Sequence, residues 1–149
     1  MSVKADHILD ALVQVDSMHT SIYQANYEKF IKKLDQIDAE FKRIFSGKQG
    51  TEFIVFHPAW GYFAQTYGIR QIPIEIEGKY PKPARLKKLI EYARERRIKV
   101  IFVQPQFSAK SAQTIAKAIG GQVVFADPLA LNWEDNLRQL ALKFKTALK

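Results

Sequence analysis

Cysteine is absent from the 149 residues, which excludes disulfides and thiolate metal sites without choosing a compartment. Histidine is scarce, at His7, His19 and His57. No apolar run approaches the roughly 18 residues that would read as a membrane span. No secretory signal is visible either, because residues 1–15 carry acidic residues in an amphipathic helical pattern where a continuous apolar segment would be needed. Glycine is sparse, and Gly120-Gly121 belongs to no phosphate loop: there is neither Gly-x-Gly-x-x-Gly nor Gly-Lys-Ser/Thr. No serine sits in a nucleophile elbow, and nothing singles out two carboxylates facing one cleft. The expectation is a protein that is not an enzyme.

The sequence does hold enough apolar residues, 47%, for one folded domain with a sizeable core. Its formal charge of +8 invites a nucleic-acid or acidic-partner reading, a basic α/β binding module. Much of the excess lies in Lys79, Lys82, Arg85, Lys87, Lys88, Arg94, Arg96, Arg97 and Lys99. Leu86, Leu89, Ile90 and Ala93 keep helical spacing within that run, which turns most of the cations onto a solvated face. Only Tyr80 and Tyr92 interleave as stacking platforms, so the expectation is no nucleic-acid partner.

Periodicity divides the chain. Val3, Ile8, Leu12, Val13 and Val15 mark a short amphipathic helix, and Asp16-Ser17 breaks it. Tyr23, Tyr27, Phe30, Leu34, Ile37, Phe41 and Ile44, spaced by three and four, predict a helix from about Thr20 to Phe45, on the order of 35–40 Å long. Gly47 and Gly50 close it. Strand and helix then alternate. Phe53-Ile54-Val55-Phe56 reads as a central buried strand running into His57-Pro58, followed by a helix over Ala59–Tyr67. Ile72–Ile76 alternates around Pro73 and predicts an edge strand. A helix over Ala84–Arg97 precedes a second buried strand, Val100–Val103, that ends at Gln104-Pro105. Ser108 is placed to cap a helix ending at Gly120-Gly121. Val123-Val124-Phe125 is expected to be the last buried strand, ending at Asp127-Pro128, before a closing helix over 134–148. This rhythm predicts an α/β fold: a four-stranded, mainly parallel sheet flanked by helices, preceded by a short helix and a long one.

Parallel strands bring their carboxyl ends to one edge, and His57, Gln104 and Asp127 all stand there, each before a proline. Glu75 and Glu77 lie near the end of the edge strand. An imidazole and a carboxylate converging on one point suit zinc, although two donors do not close a site that normally takes four. The other reading of His57 is a histidine that hydrogen-bonds and ends a strand. His7 and His19 read as surface residues; Trp60, Tyr62, Phe63 and Tyr67 read as packing, and Trp133 as a cover for the core.

His57-Pro58-Ala59-Trp60-Gly61-Tyr62-Phe63-Ala64-Gln65-Thr66-Tyr67-Gly68 resembles a segment of the metal-binding solute receptors of ABC transporters, the zinc/manganese (ZnuA/TroA-like) family. Ile101–Ser108 and Asp127-Pro128-Leu129 are similar to two further family segments, in the same order and spacing, and the likeness extends back through Tyr23-Gln24-Ala25-Asn26. The resemblance covers nearly the whole chain but only the carboxyl-terminal half of a family member. It implies a two-lobed receptor with residues 1–16 as a helix of the missing first lobe, 17–49 as the helix joining the lobes and 50–149 as the second lobe. It implies His57 as the third metal ligand and Asp127 as the fourth, two histidines being supplied by the first lobe, so that the site in this chain is incomplete. Gln104, often glutamate in the family, becomes a candidate to orient a ligand. Manganese receptors usually carry glutamate at the place of His57, so zinc is expected over manganese. The implied partners are the first lobe and an ABC permease; the implied location is periplasmic or extracytoplasmic, and an adhesin-like role is often attached to the family. The stiff joining helix implies small lobe movements. Metal affinity is expected to fall as pH drops through roughly 6.5, where imidazole protonates. Residues 3–15, without a first lobe to cover them, are expected to fold back, swap or pair in a homodimer.

Overall fold

The computed structural model describes residues 2–76 and 78–148, so Glu77 lies outside the described residues. The chain divides into two compact units, one running through Arg43 and the other from Ile44 onward.

The first unit contains helix α1 (Ser2–Val15), a 3-10 turn (Ser17–His19) and most of α2 (Thr20–Phe45). Two phenol hydroxyls tie the helices together: Tyr23 donates to Asp16 at 2.7 Å, and Tyr27 donates to Asp6. The Tyr23 hydroxyl and then the His19 ring, each bonded to Asp16, hold its carboxyl below the usual 3.8. Between the helices runs an apolar groove of about 240 Å³ lined by Ile8, Leu9, Leu12, Tyr27 and Phe30. Val3, Ile8 and Val15 are exposed. His7 and His19 are on the surface.

The second unit is a four-stranded sheet of β1 (Glu52–Val55), β2 (Arg70–Pro73), β3 (Val100–Val103) and β4 (Gln122–Phe125). All pairings are parallel, in the order β2-β1-β3-β4. The connections run through α3 (Gly61–Thr66), α4 (Pro83–Glu95) and α5 (Lys110–Ala118), and α6 (Trp133–Ala147) closes the chain. Alternation along β1 sorts the core into two layers. Ile54 and Phe56, with Ile74, Ile101 and Val103, meet Ala93 of α4 and Ala112, Ile115 and Ala116 of α5. On the other face Phe144 of α6 is an aromatic hub, 4.3 Å from Phe102, 4.8 Å from Phe53 and 5.4 Å from Phe63 between ring centroids, with Phe45 at 6.1 Å. Right-handed crossovers that run in opposite directions along the sheet cover opposite faces, so α3 (β1 to β2) is separated by the sheet from α4 (β2 to β3) and α5 (β3 to β4).

Several sequence expectations shift. The edge strand is Arg70–Pro73 instead of 72–76, its pairing with β1 beginning at Arg70 opposite Glu52, and past Pro73 the N–H groups of Ile74 and Glu75 still bond Val55 O and Phe56 O. The helix expected from Ala59 begins at Gly61, after the turn in which Ala59 N–H bonds His57 O. Trp60 is buried in the core, but Tyr62 points to solvent. The strand expected to be buried, β4, is the second edge of the sheet, with Phe125 51% exposed. Three apolar residues in a row do not separate an edge strand from a central one. The helix expected to be capped by Ser108 has Ala109 at its N-cap with no side-chain cap; Ser108 only accepts from Lys110 N–H at a long 3.4 Å. The cations of α4 and its flanks are exposed throughout, as their spacing predicts.

Candidate functional site

The order of the sheet fixes where chemistry can gather. The chain goes from β1 outward to β2 and returns past β1 to β3, so the topological switch lies between β1 and β3. At such a switch the loops beyond the carboxyl ends diverge and leave a crevice. His57 stands two residues beyond β1, and Gln104 follows β3 directly. Their strands pair Val55 with Phe102, which puts His57 level with Gln104.

Besides the Ala59 N–H on its carbonyl, side-chain contacts hold His57. Its Nδ1 is 2.6 Å from Glu75 Oε1, its ring stacks on Phe107 at 4.9 Å, and its backbone carbonyl accepts from Gln104 Nε2 at 3.0 Å. Glu75 is only 5% exposed, whereas the His57 side chain is 41% exposed. A carboxylate beside Nδ1 favours the proton on that nitrogen, the tautomer that leaves Nε2 as the lone-pair donor. Gln104 is 2% exposed, and its Oε1 has no hydrogen-bond partner among the described residues.

Asp127 is built separately, two residues past β4. Its Oδ1 accepts from Gln106 Nε2 at 3.0 Å and from Leu129 N–H at 2.9 Å, and its backbone carbonyl accepts from Asn136 at 2.7 Å. The Gln106 amide, and after it the Leu129 N–H, hold the Asp127 carboxyl below its ordinary 3.8. Both bonds fall on Oδ1, so Oδ2 keeps its lone pairs.

His57 and Asp127 are therefore not on neighbouring strand tips, as an expectation of direct convergence required. β3 stands between them, at two strand spacings or about 10 Å of backbone. The loop after β3 touches both: Phe107 stacks on His57, and Gln106 binds Asp127. Among the described residues no three His, Asp or Glu side chains gather closely enough to hold a metal. Glu75, named from sequence only for its place near the edge strand, turns out to be the direct partner of His57. The sequence signal for it was a carboxylate two residues past a strand proline.

Comparison with known proteins adds an independent line. A family model described as "Zinc-uptake complex component A periplasmic" matches residues 1–147. The "High-affinity zinc uptake system protein ZnuA" of Bacillus subtilis is 34% identical over 118 residues, which are 78% of this chain and 37% of that protein. A crystal structure of ZnuA superposes with a TM-score of 0.91 at 39% identity, covering 95% of this chain and 54% of that one. The laminin binding protein (Lmb) of Streptococcus agalactiae, described as bifunctional "with adhesin and metal transporting activity", superposes with a TM-score of 0.86 at 27% identity, covering 95% of this chain and 58% of that one. The chain thus spans just over half the length of these crystallised relatives and less of the curated one.

Proposed function

The chain belongs to the zinc-uptake component A family, a family of solute-binding receptors, and from that premise we propose that it supplies one side of a zinc site in an extracytoplasmic receptor feeding an ABC permease. The observation that supports the reading is the His57–Glu75 contact at the switch of the sheet, with the His57 side chain 41% exposed beside it. Zinc takes nitrogen and oxygen donors at about 2.0–2.2 Å, and His57 Nε2 with Asp127 Oδ2 is a donor set of that kind. Metal here is cargo, so the protein's task is capture and release without bond-making catalysis. The nitrogen donor favours zinc over manganese.

In this proposal α2 is the helix that joins the lobes, and the remaining donors come from a further lobe of the whole receptor. Coverage of only about half of each crystallised relative supports that division. Gln104 holds the His57 backbone and so positions the ligand without touching metal. The exposed apolar side of α1 is covered by the first lobe in the whole receptor and by a second copy when this chain is alone; light scattering that finds only monomer would remove the second half of that statement.

Titration calorimetry of this chain with zinc tests the proposal. Two protein donors plus water should bind weakly, with Kd in the range of roughly 10 µM or above, and His57→Ala should abolish the heat. Unchanged binding by His57→Ala would refute it.

A further inference from the structure

Nearly all of the protein's net charge sits on one short segment. Between Lys79 and Lys99 nine Lys and Arg residues face two carboxylates, a net of +7, which leaves +1 for the rest of a chain whose total is +8. Charge so localised forms a field with a direction.

Some of these cations have structural work. Arg94 and Lys99 bond the carbonyls of Ala118 and Ile119 at the end of α5, and Lys87 pairs with Glu91 at 3.9 Å. Lys79, Lys82, Arg85, Lys88 and Arg97 are exposed and have no side-chain partner among the described residues. Lys82, Arg85 and Lys88 recur every third residue, and Tyr92 and Arg96 continue the row at steps of four, so they share one side of α4. Arg96 lies over the Tyr92 ring at 5.5 Å. From Lys82 to Arg96 the row is about 21 Å long, with Arg97 just past the helix end. The adjoining stripe of α4 is fixed on the sheet by Leu86, Leu89, Ile90 and Ala93, with Tyr92 of the row itself packed against the same core, so the cations flank the buried face on a rigid rail.

At the amino-terminal end of this rail stands Tyr80, 60% exposed, its ring packed edge-on against Phe56 at 5.8 Å, beside the exposed Ile76. A tyrosine with an apolar neighbour is the side-chain pair that settles at the boundary of lipid headgroups. A strand of bases would instead need several free aromatic faces along the row. The one aromatic within it, Tyr92, has its hydroxyl tied to Glu52 at 2.6 Å and its ring under Arg96.

We propose that the outer face of α4, from Lys82 to Arg97, with Tyr80 at its end, docks on an anionic lipid surface. The inference rests on the extracytoplasmic reading above, which places the chain where anionic headgroups are the abundant polyanion. A cation near such a surface is worth about fivefold in partitioning, so the row holds the receptor flat against the membrane without inserting it.

The test is vesicle co-sedimentation of the whole chain. Vesicles containing about 30% phosphatidylglycerol should bind it at low salt, those of phosphatidylcholine alone should not, and added salt should release it. The triple variant Lys82→Glu, Arg85→Glu, Lys88→Glu, which removes three cations and adds three anions, should lose more than about 100-fold in partitioning. A charge-matched control, Lys110→Glu, Lys117→Glu, Lys145→Glu, should keep most of the binding. Equal loss in both variants, or no binding to the anionic vesicles at low salt, overturns the proposal; so does duplex DNA competing vesicles off at equal charge concentration. If the glutamate variant fails to fold by circular dichroism, the glutamine triple replaces it, with a smaller loss expected and an unchanged partition counting against the rail. Zinc titration of the same variants separates this proposal from the metal reading, since neither variant touches His57 or Asp127.

Discussion

His57 and Glu75, eighteen residues apart in sequence, meet through Nδ1 and Oε1 at 2.6 Å, and the carboxylate is almost wholly buried while the ring is not. The pair decides which imidazole nitrogen is available. Glu75→Ala should therefore free the ring and leave a hole beside it, weakening zinc binding about 10- to 100-fold, with Glu75→Gln falling between. Competition against a chromophoric chelator measures the loss; wild-type affinity in Glu75→Ala would show that the ring needs no such orientation.

Asp127 should titrate below 3.8, because hydrogen bonds from Gln106 and Leu129 favour its charged form. A carboxyl with a lowered folded-state pKa stabilises the fold above its unfolded value, and that contribution disappears as pH falls through the folded value. Carbon-detected NMR of the Asp127 carboxyl should show a midpoint below 3.8 that moves upward in Gln106→Ala.

Phe144 is fully buried, and its ring reaches Phe102, Phe53, Phe63 and Phe45 at once. Phe144→Ala should cost about 3–5 kcal/mol in denaturant unfolding. A loss below about 1 kcal/mol would mean that the aromatic layer collapses into the space.

Gly121 is required for a close approach: a Cβ there would overlap the backbone carbonyl of Lys99, which Gln122 N–H bonds at 2.8 Å as β4 begins. Gly121→Ala should destabilise by about 2 kcal/mol or more. Gly47, with φ of 74 and open space around it, should cost about 1 kcal/mol on the same change. Thermal unfolding of the two variants should keep that ranking.

The buried strands were legible because Phe53–Phe56 and Val100–Val103 are continuous apolar runs stopped by prolines, and local pattern suffices for such elements. Position within the sheet was not legible. Val123–Phe125 looks as apolar as its neighbours, yet its place at the edge follows from the crossover path and not from its own residues. The same ignorance of order made His57 and Asp127 look adjacent, while β3 and its loop lie between them. Gln104 was visible at a strand end, but its grip on the His57 carbonyl depends on the register of β1 against β3. Glu75 was visible too; what sequence could not supply is that the chain past Pro73 continues beside Phe56 and so carries the carboxylate to the imidazole.

The account stands on His57 and Asp127 donating to one zinc ion. The most direct measurement is NMR of the imidazole nitrogens and aspartate carboxyls of the chain as zinc is added. His57 Nε2 and the Asp127 carboxyl should shift together, with His57 Nδ1 remaining protonated toward Glu75 and His7 and His19 unmoved. Zinc that shifts His19 and leaves His57 and Asp127 where they were would contradict it.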